Sequence, residues 1–170
     1  AMKTDLPDVA NYVRLRDGWG ESFIKVDGAV RRMNMSYADP SLFTIFSFPL
    51  KYGTAQGALK ELQNLVITKA KAKELFGTDN VVGRTIEIKI EESFVPFTVT
   101  AVAENIPANS SIQFDLLGNF NYMETTKSGK RGVNNWNRSS YITYVQLNPG
   151  SGLVNDVQKF GSFRHKYYPE

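Results

Sequence analysis

The chain has 170 residues, of which 42% are hydrophobic and 22% charged, and this length and composition are typical of one globular domain. Its formal net charge is only +3 and its basic residues are scattered along the sequence, which argues against a nucleic-acid partner. The sequence contains no cysteine, which excludes a disulfide framework and thiolate zinc sites.

Three short strands are predicted at the start of the chain. Turn residues such as Asp17-Gly18 and Asp27-Gly28 separate them, since aspartate and glycine favour tight turns. The predicted strands are Val9 to Leu15, Phe23 to Val26, and Ala29 to about Met35.

A helix is predicted next. Asp39 can accept hydrogen bonds from the first N–H groups of a helix, and Pro40 suits the first helical position because its fixed φ is helical. Phe43 and Phe46 then recur at helical spacing and predict a buried face. Pro49 is expected to end this helix.

A second helix and further strands are predicted in the middle of the chain. Thr68 can cap a helix that runs to Phe76, and Gly77 supplies a stop signal. Residues 85–90 alternate between polar residues and isoleucine, which is the period of a half-buried strand. The predicted strands of this region are Thr85 to Ile90, Phe94 to Val102, and Ile112 to about Leu117.

The end of the chain is predicted to contain a loop, a strand and a helix. The stretch from Thr125 to Arg138 is polar and rich in turn residues, so an exposed loop is expected. Tyr141 to Leu147 alternates as a strand, and apolar residues from Leu153 to Tyr167 recur at the spacing of an amphipathic helix. Together these elements predict an α+β domain with a mixed sheet and helices packed on one side of it.

No catalytic, cofactor-binding or metal-binding residue is assigned from the sequence, and an enzyme is not expected. His165 is the only histidine, and it lies in a basic run where a surface position is expected. The sequence has no Gly-x-Ser-x-Gly turn to present a serine nucleophile. It also has no glycine-rich loop with the lysine and hydroxyl residue that hold phosphate, so no cofactor is predicted.

The stretch from Thr125 to Arg138 is the candidate partner-contact loop. Loops longer than about 12 residues are usually functional or disordered. Trp136 lies beside Arg131 and Arg138 in sequence, and aromatic residues and arginines are enriched among the residues that anchor protein interfaces. The alternative interpretation is that Trp136 packs beneath the strand that follows it.

Four stretches of the sequence form a recognisable pattern when they are taken in order. They are Asp39-Pro40 with Phe43, Phe46 and Phe48-Pro49-Leu50; Val66-Ile67-Thr68 with Leu75-Phe76-Gly77 and Gly83-Arg84-Thr85; Phe97 to Val102 with Ile106-Pro107-Ala108-Asn109-Ser110; and Trp136 with Tyr141 to Leu147 before Pro149-Gly150. Together they resemble the extracytoplasmic core domain of MacB/FtsX-type ABC-transporter permeases, in the form common in Bacteroidetes. The resemblance covers the chain from about Pro7 to Tyr168, and Ala101 stands where many relatives carry glycine.

The resemblance implies that residues 1–170 are one periplasmic core domain that lies between two transmembrane helices of a larger permease. It further implies the inner membrane of a Gram-negative bacterium, a dimeric permease, a cytoplasmic ATPase subunit or domain, and a periplasmic protein partner or cargo. Such a domain would couple cytoplasmic ATP hydrolysis to export or to a periplasmic partner. Ala1 before Met2 is typical of an expression scar, so the natural termini are expected to lie elsewhere. The alternative is a stand-alone periplasmic binding or adaptor module that uses the same fold.

Overall fold

The computed structural model describes residues 2–16, 21–133 and 140–167. Within these ranges the strands are β1 Val9–Arg16, β2 Glu21–Val26, β3 Ala29–Ala38, β4 Leu50–Tyr52, β5 Asn64–Thr68, β6 Thr85–Ile90, β7 Ser93–Ala103, β8 Leu116–Asn119 and β9 Ile142–Leu147. The α-helices are α1 Met2–Asp5, α2 Leu42–Ile45, α3 Lys69–Phe76, α4 Lys127–Val133 and α5 Val157–Tyr167. Two 3₁₀ helices complete the fold, η1 Phe120–Thr125 and η2 Leu153–Asn155.

The strands form a mixed sheet that closes on itself. Hydrogen-bonded neighbours follow the order β2-β6-β7-β5-β8-β3, and β3 pairs in turn with β2, which completes a ring of six strands. The ring closes because β3 is long: residues 29–34 pair with β2 and residues 35–38 pair with β8. The β3–β8 and β5–β7 pairs are parallel and the others antiparallel, so the predicted mixed sheet is confirmed. Beyond the ring, β1 pairs with β3, and β9 pairs with β1.

The interior of the ring holds the main hydrophobic core. All six ring strands send buried side chains into it, as expected for the concave face of a closed sheet. The alternation along β5 separates its two faces, since Leu65 and Ile67 enter this inner cluster whereas Val66 enters a second cluster outside the ring. The largest fully buried inner side chains are Phe97, Ile24, Leu65, Ile67, Ile86, Ile88 and Leu116.

The helices pack on both faces of the sheet, and the prediction of a single helical face is wrong. Ala72 of α3 joins the inner cluster, whereas Leu42 and Phe43 of α2 join the outer cluster with β1. The prediction of α3 itself is confirmed, with Gly77 as its C-cap at a φ of 71°. No helix in the described part of the chain has the length and apolar character that a membrane span needs.

The helix predicted after Asp39 is shorter than expected. It is the single turn α2, its N-cap is Ser41, and Phe46 already has extended backbone angles. The Asp39 carboxylate does not cap it, because it accepts three hydrogen bonds from Arg14 instead. Two of these come from the charged guanidinium, and such bidentate pairs between charged groups are stronger than a cap on backbone N–H groups, which explains why Asp39 binds Arg14 instead of capping α2.

The strand predicted from Ile112 to about Leu117 is shifted by several residues, since β8 spans residues 116–119. Ile112 and Phe114 lie in the segment before β8, which has no regular secondary structure, and their side chains are buried in the outer cluster. This segment is held by local hydrogen bonds, with Ser110 Oγ accepting from the Ile112 N–H and the Gln113 amide donating to the Pro107 carbonyl. Such side-chain contacts compete with sheet pairing, and here they prevail.

Candidate partner-contact site

The structure places one of the three residues of the candidate partner-contact loop. Arg131 lies exposed on α4, where its Nε donates to the carbonyl of Lys127 at 3.4 Å. Trp136 and Arg138 lie outside the described residues. The structure therefore gives the anchoring of this segment up to Val133, and the grouping of the three side chains stays a prediction.

The segment up to residue 133 is helical, so the prediction of a loop there is wrong. Glu91 caps the start of α4. Its Oε1 accepts hydrogen bonds from the backbone N–H groups of Lys127 at 2.9 Å and Ser128 at 3.3 Å. Thr126 adds a local cap by accepting from the Gly129 N–H at 3.0 Å. These caps satisfy N–H groups that the first turn of a helix leaves unpaired, which offsets the poor helix propensity of the sequence.

Close packing also requires glycine at position 129. A Cβ atom there would lie 2.1 Å from the carbonyl oxygen of Met123, which is far inside van der Waals contact. The same glycine that suggested a turn in the sequence thus allows α4 to lie against η1. Helix α4 and η1 form one compact, basic element at the surface, with Lys127, Lys130 and Arg131 on α4.

Replacing Glu91 with alanine should loosen the first turn of α4. The N–H groups of Lys127 and Ser128 would lose their acceptor, and the loss of a capping group costs about 1 kcal/mol. Amide hydrogen exchange over residues 127–131 should therefore become about fivefold faster. The control is Glu92→Ala, the exposed neighbour in the same turn, which does not cap α4. Equal exchange in the two variants would show that α4 does not depend on Glu91.

A partly buried charge cluster fixes η1 to the core. The Asp39 carboxylate accepts from the Arg14 backbone N–H at 2.8 Å, from its Nε at 2.9 Å and from its Nη2 at 2.7 Å. The same guanidinium reaches η1, donating to Asn121 Oδ1 at 2.9 Å and to Glu124 Oε1 at 3.4 Å. It also stacks over the ring of Phe120, 4.2 Å from its centroid. Burial opposes the charge on Arg14, but Asp39 and Glu124 outweigh it, so the pKa of Arg14 is raised.

Sequence analysis missed this cluster because its members are far apart in the chain. Arg14 and Asp39 are separated by 25 residues, and Arg14 and Asn121 by 107. The only sequence signal was Asp39 itself, which had a sufficient local explanation as a helix cap. The structure thus links β1, the end of β3 and the candidate site through one arginine.

The first and last helices lie against each other. Asp5 of α1 accepts hydrogen bonds from Lys166 and Tyr167 of α5, and Asp8 accepts from Ser151 Oγ at 3.0 Å and Lys159 Nζ at 3.2 Å. A small apolar cluster lies beneath these contacts, formed by Leu6, Val9 and Leu153 with Met2, Leu147 and Phe163. The predicted amphipathic helix is confirmed over Val157–Tyr167, but none of its residues is fully buried.

The contact between α1 and α5 should weaken in acid. The pKa of Asp5 is lowered by the hydrogen bonds from Lys166 and Tyr167, and the pKa of Asp8 by those from Ser151 and Lys159. A carboxyl with a lowered pKa in the folded state stabilises that state above its ordinary pKa of 3.8 and loses the effect as pH falls through the lower value. NMR chemical shifts of α5 should therefore change as the pH falls below 3.8.

The Asp5→Asn and Asp8→Asn double variant is the control for this acid transition. Its α5 should already be displaced at neutral pH and should show no transition of its own below pH 3.8, since the titrating groups are gone. An unchanged transition in the double variant would assign the effect to other carboxylates.

The described residues contain no group of three histidine, cysteine, aspartate or glutamate side chains placed to hold a metal ion. His165 is exposed on α5. A cleft of about 450 Å³ lies between α1 and α5, and its walls carry both carboxylates and lysines. The lining residues are Asp5, Leu6, Asp156, Gln158, Lys159, Ser162, Phe163 and Lys166.

Comparisons of structure and of sequence with known proteins both identify domains of transporter permeases as similar to this chain. Three solved structures share the fold: a domain of a putative permease from Porphyromonas gingivalis (TM-score 0.79, 24% identity), the periplasmic region of MacB from Actinobacillus actinomycetemcomitans (TM-score 0.62, 14% identity) and the extracellular domain of the ABC-type transporter YknZ from Gram-positive bacteria (TM-score 0.58, 15% identity). The matches cover 98%, 94% and 94% of this chain and 68%, 68% and 74% of those chains.

No curated protein matches the chain. The model of the MacB-like periplasmic core domain family matches residues 1–158, which is most of its length. This confirms the resemblance found in the four sequence stretches. The chain therefore belongs to the MacB-like periplasmic core domain family, whose members are parts of ABC-transporter permeases.

Proposed function

We propose that this domain is a non-catalytic coupling element of an ABC-transporter permease, and that residues 1–170 form one extracytoplasmic unit between two transmembrane helices. The observation that carries the proposal is the pairing of α1 with α5 through Asp5, Lys166 and Tyr167. A domain inserted between two membrane helices needs its entering and leaving segments side by side. The family match and the fold shared with permease domains support the same placement.

The partners follow from this placement. They are the transmembrane helices of the permease, a second permease subunit in a dimer, a cytoplasmic ATPase subunit or domain, and a periplasmic protein in a Gram-negative cell. The domain would pass motion driven by ATP hydrolysis from the inner membrane to that periplasmic partner. The proposed contact is the stretch from Thr125 to Arg138, which we call the α4 segment because α4 is its described part. Glu91 and the Arg14 cluster hold α4 and the adjoining η1 against the domain, while the basic side chains of α4 stay at the surface.

The contact is tested in the full-length permease with Trp136→Ala and with an Arg131→Ala, Arg138→Ala double variant. Both should abolish the transport phenotype while the protein level and the basal ATPase rate stay normal, because such anchor residues carry most of the binding free energy of an interface. The control is Arg31→Ala, an exposed arginine on β3 outside this segment.

Each contrary outcome has a definite meaning. A Trp136→Ala domain with a strongly lowered melting temperature would show that Trp136 packs beneath the strand that follows it. A normal phenotype in both variants would remove the α4 segment as the contact. A parent gene with a signal peptide and no transmembrane helices would replace the coupling function with that of a stand-alone periplasmic module.

A further inference from the structure

One edge of the sheet is open. Strand β9 ends the strand order and pairs with β1 alone in the described part of the chain. The other described strand with a single neighbour is β4, which has three residues, whereas β9 has six. Natural edge strands are usually protected by charged residues, by proline or by being very short. Residues 142–147 contain neither a charged residue nor a proline, so β9 lacks the usual protection.

The backbone of β9 directs hydrogen-bonding groups to this open side. Thr143 lies opposite Arg14 on β1. The N–H of Arg14 donates to the Asp39 carboxylate and its carbonyl accepts from the Asp39 N–H, so both groups turn away from β9. In an antiparallel ladder, opposed residues either exchange hydrogen bonds or both point outward. Thr143 therefore points outward, and by alternation so do Val145 and Leu147; we call the outward N–H and C=O groups of these three residues the β9 edge.

Two further contacts agree with this direction. Tyr12 lies opposite Val145, and its carbonyl accepts from Ser41 Oγ at 2.6 Å instead of from β9. Just after the strand, the N–H of Asn148 donates to the Asp8 carbonyl at 2.8 Å, so the residue before it faces outward. The β9 edge is thus a regular row of backbone donors and acceptors that no described strand covers.

We propose that the β9 edge accepts an extended strand of a periplasmic partner protein, which lengthens the sheet through backbone hydrogen bonds. Such a row of alternating donors and acceptors is matched by the backbone of another strand. Ile142 and Val145 lie on opposite faces of β9 and are 54% and 37% exposed, so the incoming strand should be uncharged and rich in β-branched residues. Ile142 also follows the α4 segment after three residues, so one partner can contact both.

A second copy of the chain does not fit the β9 edge in a dimeric permease. Leu147, at the end of β9, packs with the apolar cluster beneath α1 and α5, the end that joins the membrane helices in the proposed function. Two antiparallel β9 strands would point these ends in opposite directions, whereas both subunits lie in one membrane. Two parallel strands related by a two-fold axis would set donor against donor at the same height. The choice of a partner strand over a second copy therefore rests on the proposed function.

Amide hydrogen exchange of the wild-type chain, followed by NMR, tests the β9 edge directly. Without a partner, the amides of Thr143 and Val145 should exchange quickly, whereas those of Tyr144 and Gln146 should be protected because they bond to β1. The probe is a synthetic peptide of alternating valine and threonine with a lysine at each end. With this peptide at about ten times its dissociation constant, exchange at Thr143 and Val145 should slow about tenfold, since only the unbound fraction exchanges.

The control for strand pairing is the same peptide methylated at every backbone nitrogen. It has no N–H group to donate to the carbonyls of the β9 edge, so it should leave the exchange rates unchanged. Exchange at Thr143 and Val145 that the unmethylated peptide does not slow, or that both peptides slow equally, would overturn the proposal.

The full-length permease tests whether the β9 edge is used. Val145→Pro removes the outward N–H without taking a hydrogen bond from β1, so the transport phenotype should be lost. Val145→Thr keeps the N–H and a β-branched side chain and should transport as wild type. If the melting temperature shows that Val145→Pro does not fold, Val145→Lys replaces it, because a lysine on an edge strand opposes pairing and leaves the backbone unchanged. Normal transport in the folded variant would contradict the proposal.

Failure here and failure of the proposed function are distinguishable. Lost transport in Trp136→Ala together with normal transport in Val145→Pro would keep the coupling function and remove the β9 edge as a contact. A parent gene without transmembrane helices would remove the coupling function, whereas slower exchange with the unmethylated peptide alone would still support pairing at the β9 edge. A dimer in sedimentation that Val145→Pro dissociates and the peptide displaces would show that a second copy occupies the edge, and the proposal of a partner strand would be wrong.

Discussion

Phe97→Ala should lower the free energy of unfolding by about 3–5 kcal/mol, the usual cost of emptying a buried phenylalanine site. Phe97 lies on β7 and is fully buried in the inner cluster. Its ring meets that of Tyr122 edge to face, with centroids 4.9 Å apart, and Ile86 lies opposite it on β6. The surroundings of such a site relax only partially, so most of the cavity should remain. Urea denaturation followed by circular dichroism measures the change.

Thr98→Ala is the matched control, since Thr98 is the next residue on β7 and its side chain is exposed. It should change the free energy of unfolding by less than about 0.5 kcal/mol. Neighbouring residues of a strand point to opposite faces, so a shift of one residue in the register of β7 would exchange the two outcomes. Equal urea midpoints for the two variants would therefore contradict both the register and the inner cluster.

The local parts of this fold could be predicted from the sequence. The alternation of residues 85–90 gives β6 directly, because one face of that strand is buried and the other is exposed. The ring closure could not be predicted, because it depends on the β2–β6 and β3–β8 pairs, which join distant parts of the chain. The family, by contrast, was recognisable from fold residues such as Gly77 and Gly83, whose positive φ values explain why glycine recurs there.

The candidate site was less predictable than the fold. Composition led to the prediction that Arg131 contacts a partner, and that stays a prediction. The helix that carries Arg131 could not be predicted, because Lys-Ser-Gly-Lys-Arg-Gly has the composition of a loop. Its capping group, Glu91, lies 36 residues away at the turn between β6 and β7, where its own φ is 51°. A helix whose stability comes from a distant acceptor leaves no signal in its own sequence.

Asp39→Ala should lower the free energy of unfolding by about 2–4 kcal/mol. Removing one partner of a fully buried ion pair costs about 3–5 kcal/mol, and the value here is smaller because the Arg14 side chain is 21% exposed. The loss would come mainly from Arg14, whose backbone N–H, Nε and Nη2 all donate to this carboxylate. The control is Lys71→Ala, which removes the exposed Lys71–Glu74 pair and should cost less than about 0.5 kcal/mol.

A double-mutant cycle with Arg14→Met tests whether the two residues act as one unit. Once Arg14 is gone, Asp39→Ala removes a carboxylate that has lost its partner, so the double variant should be less destabilised than the sum of the two single variants. Additive costs in urea denaturation would show that Asp39 acts through some other contact.

The Asp39→Ala variant also tests whether Arg14 connects the core with the candidate site. Arg14 also holds Asn121 and Glu124, so in Asp39→Ala the guanidinium should lose its fixed position and η1 its attachment to β1. Amide exchange over residues 120–133 should then accelerate more than that of the inner strands β5 and β7, because those strands do not contact the cluster. If residues 120–133 keep their protection while the whole domain is destabilised, η1 is held by Phe120 and Met123 in the core, and Arg14 does not position the α4 segment.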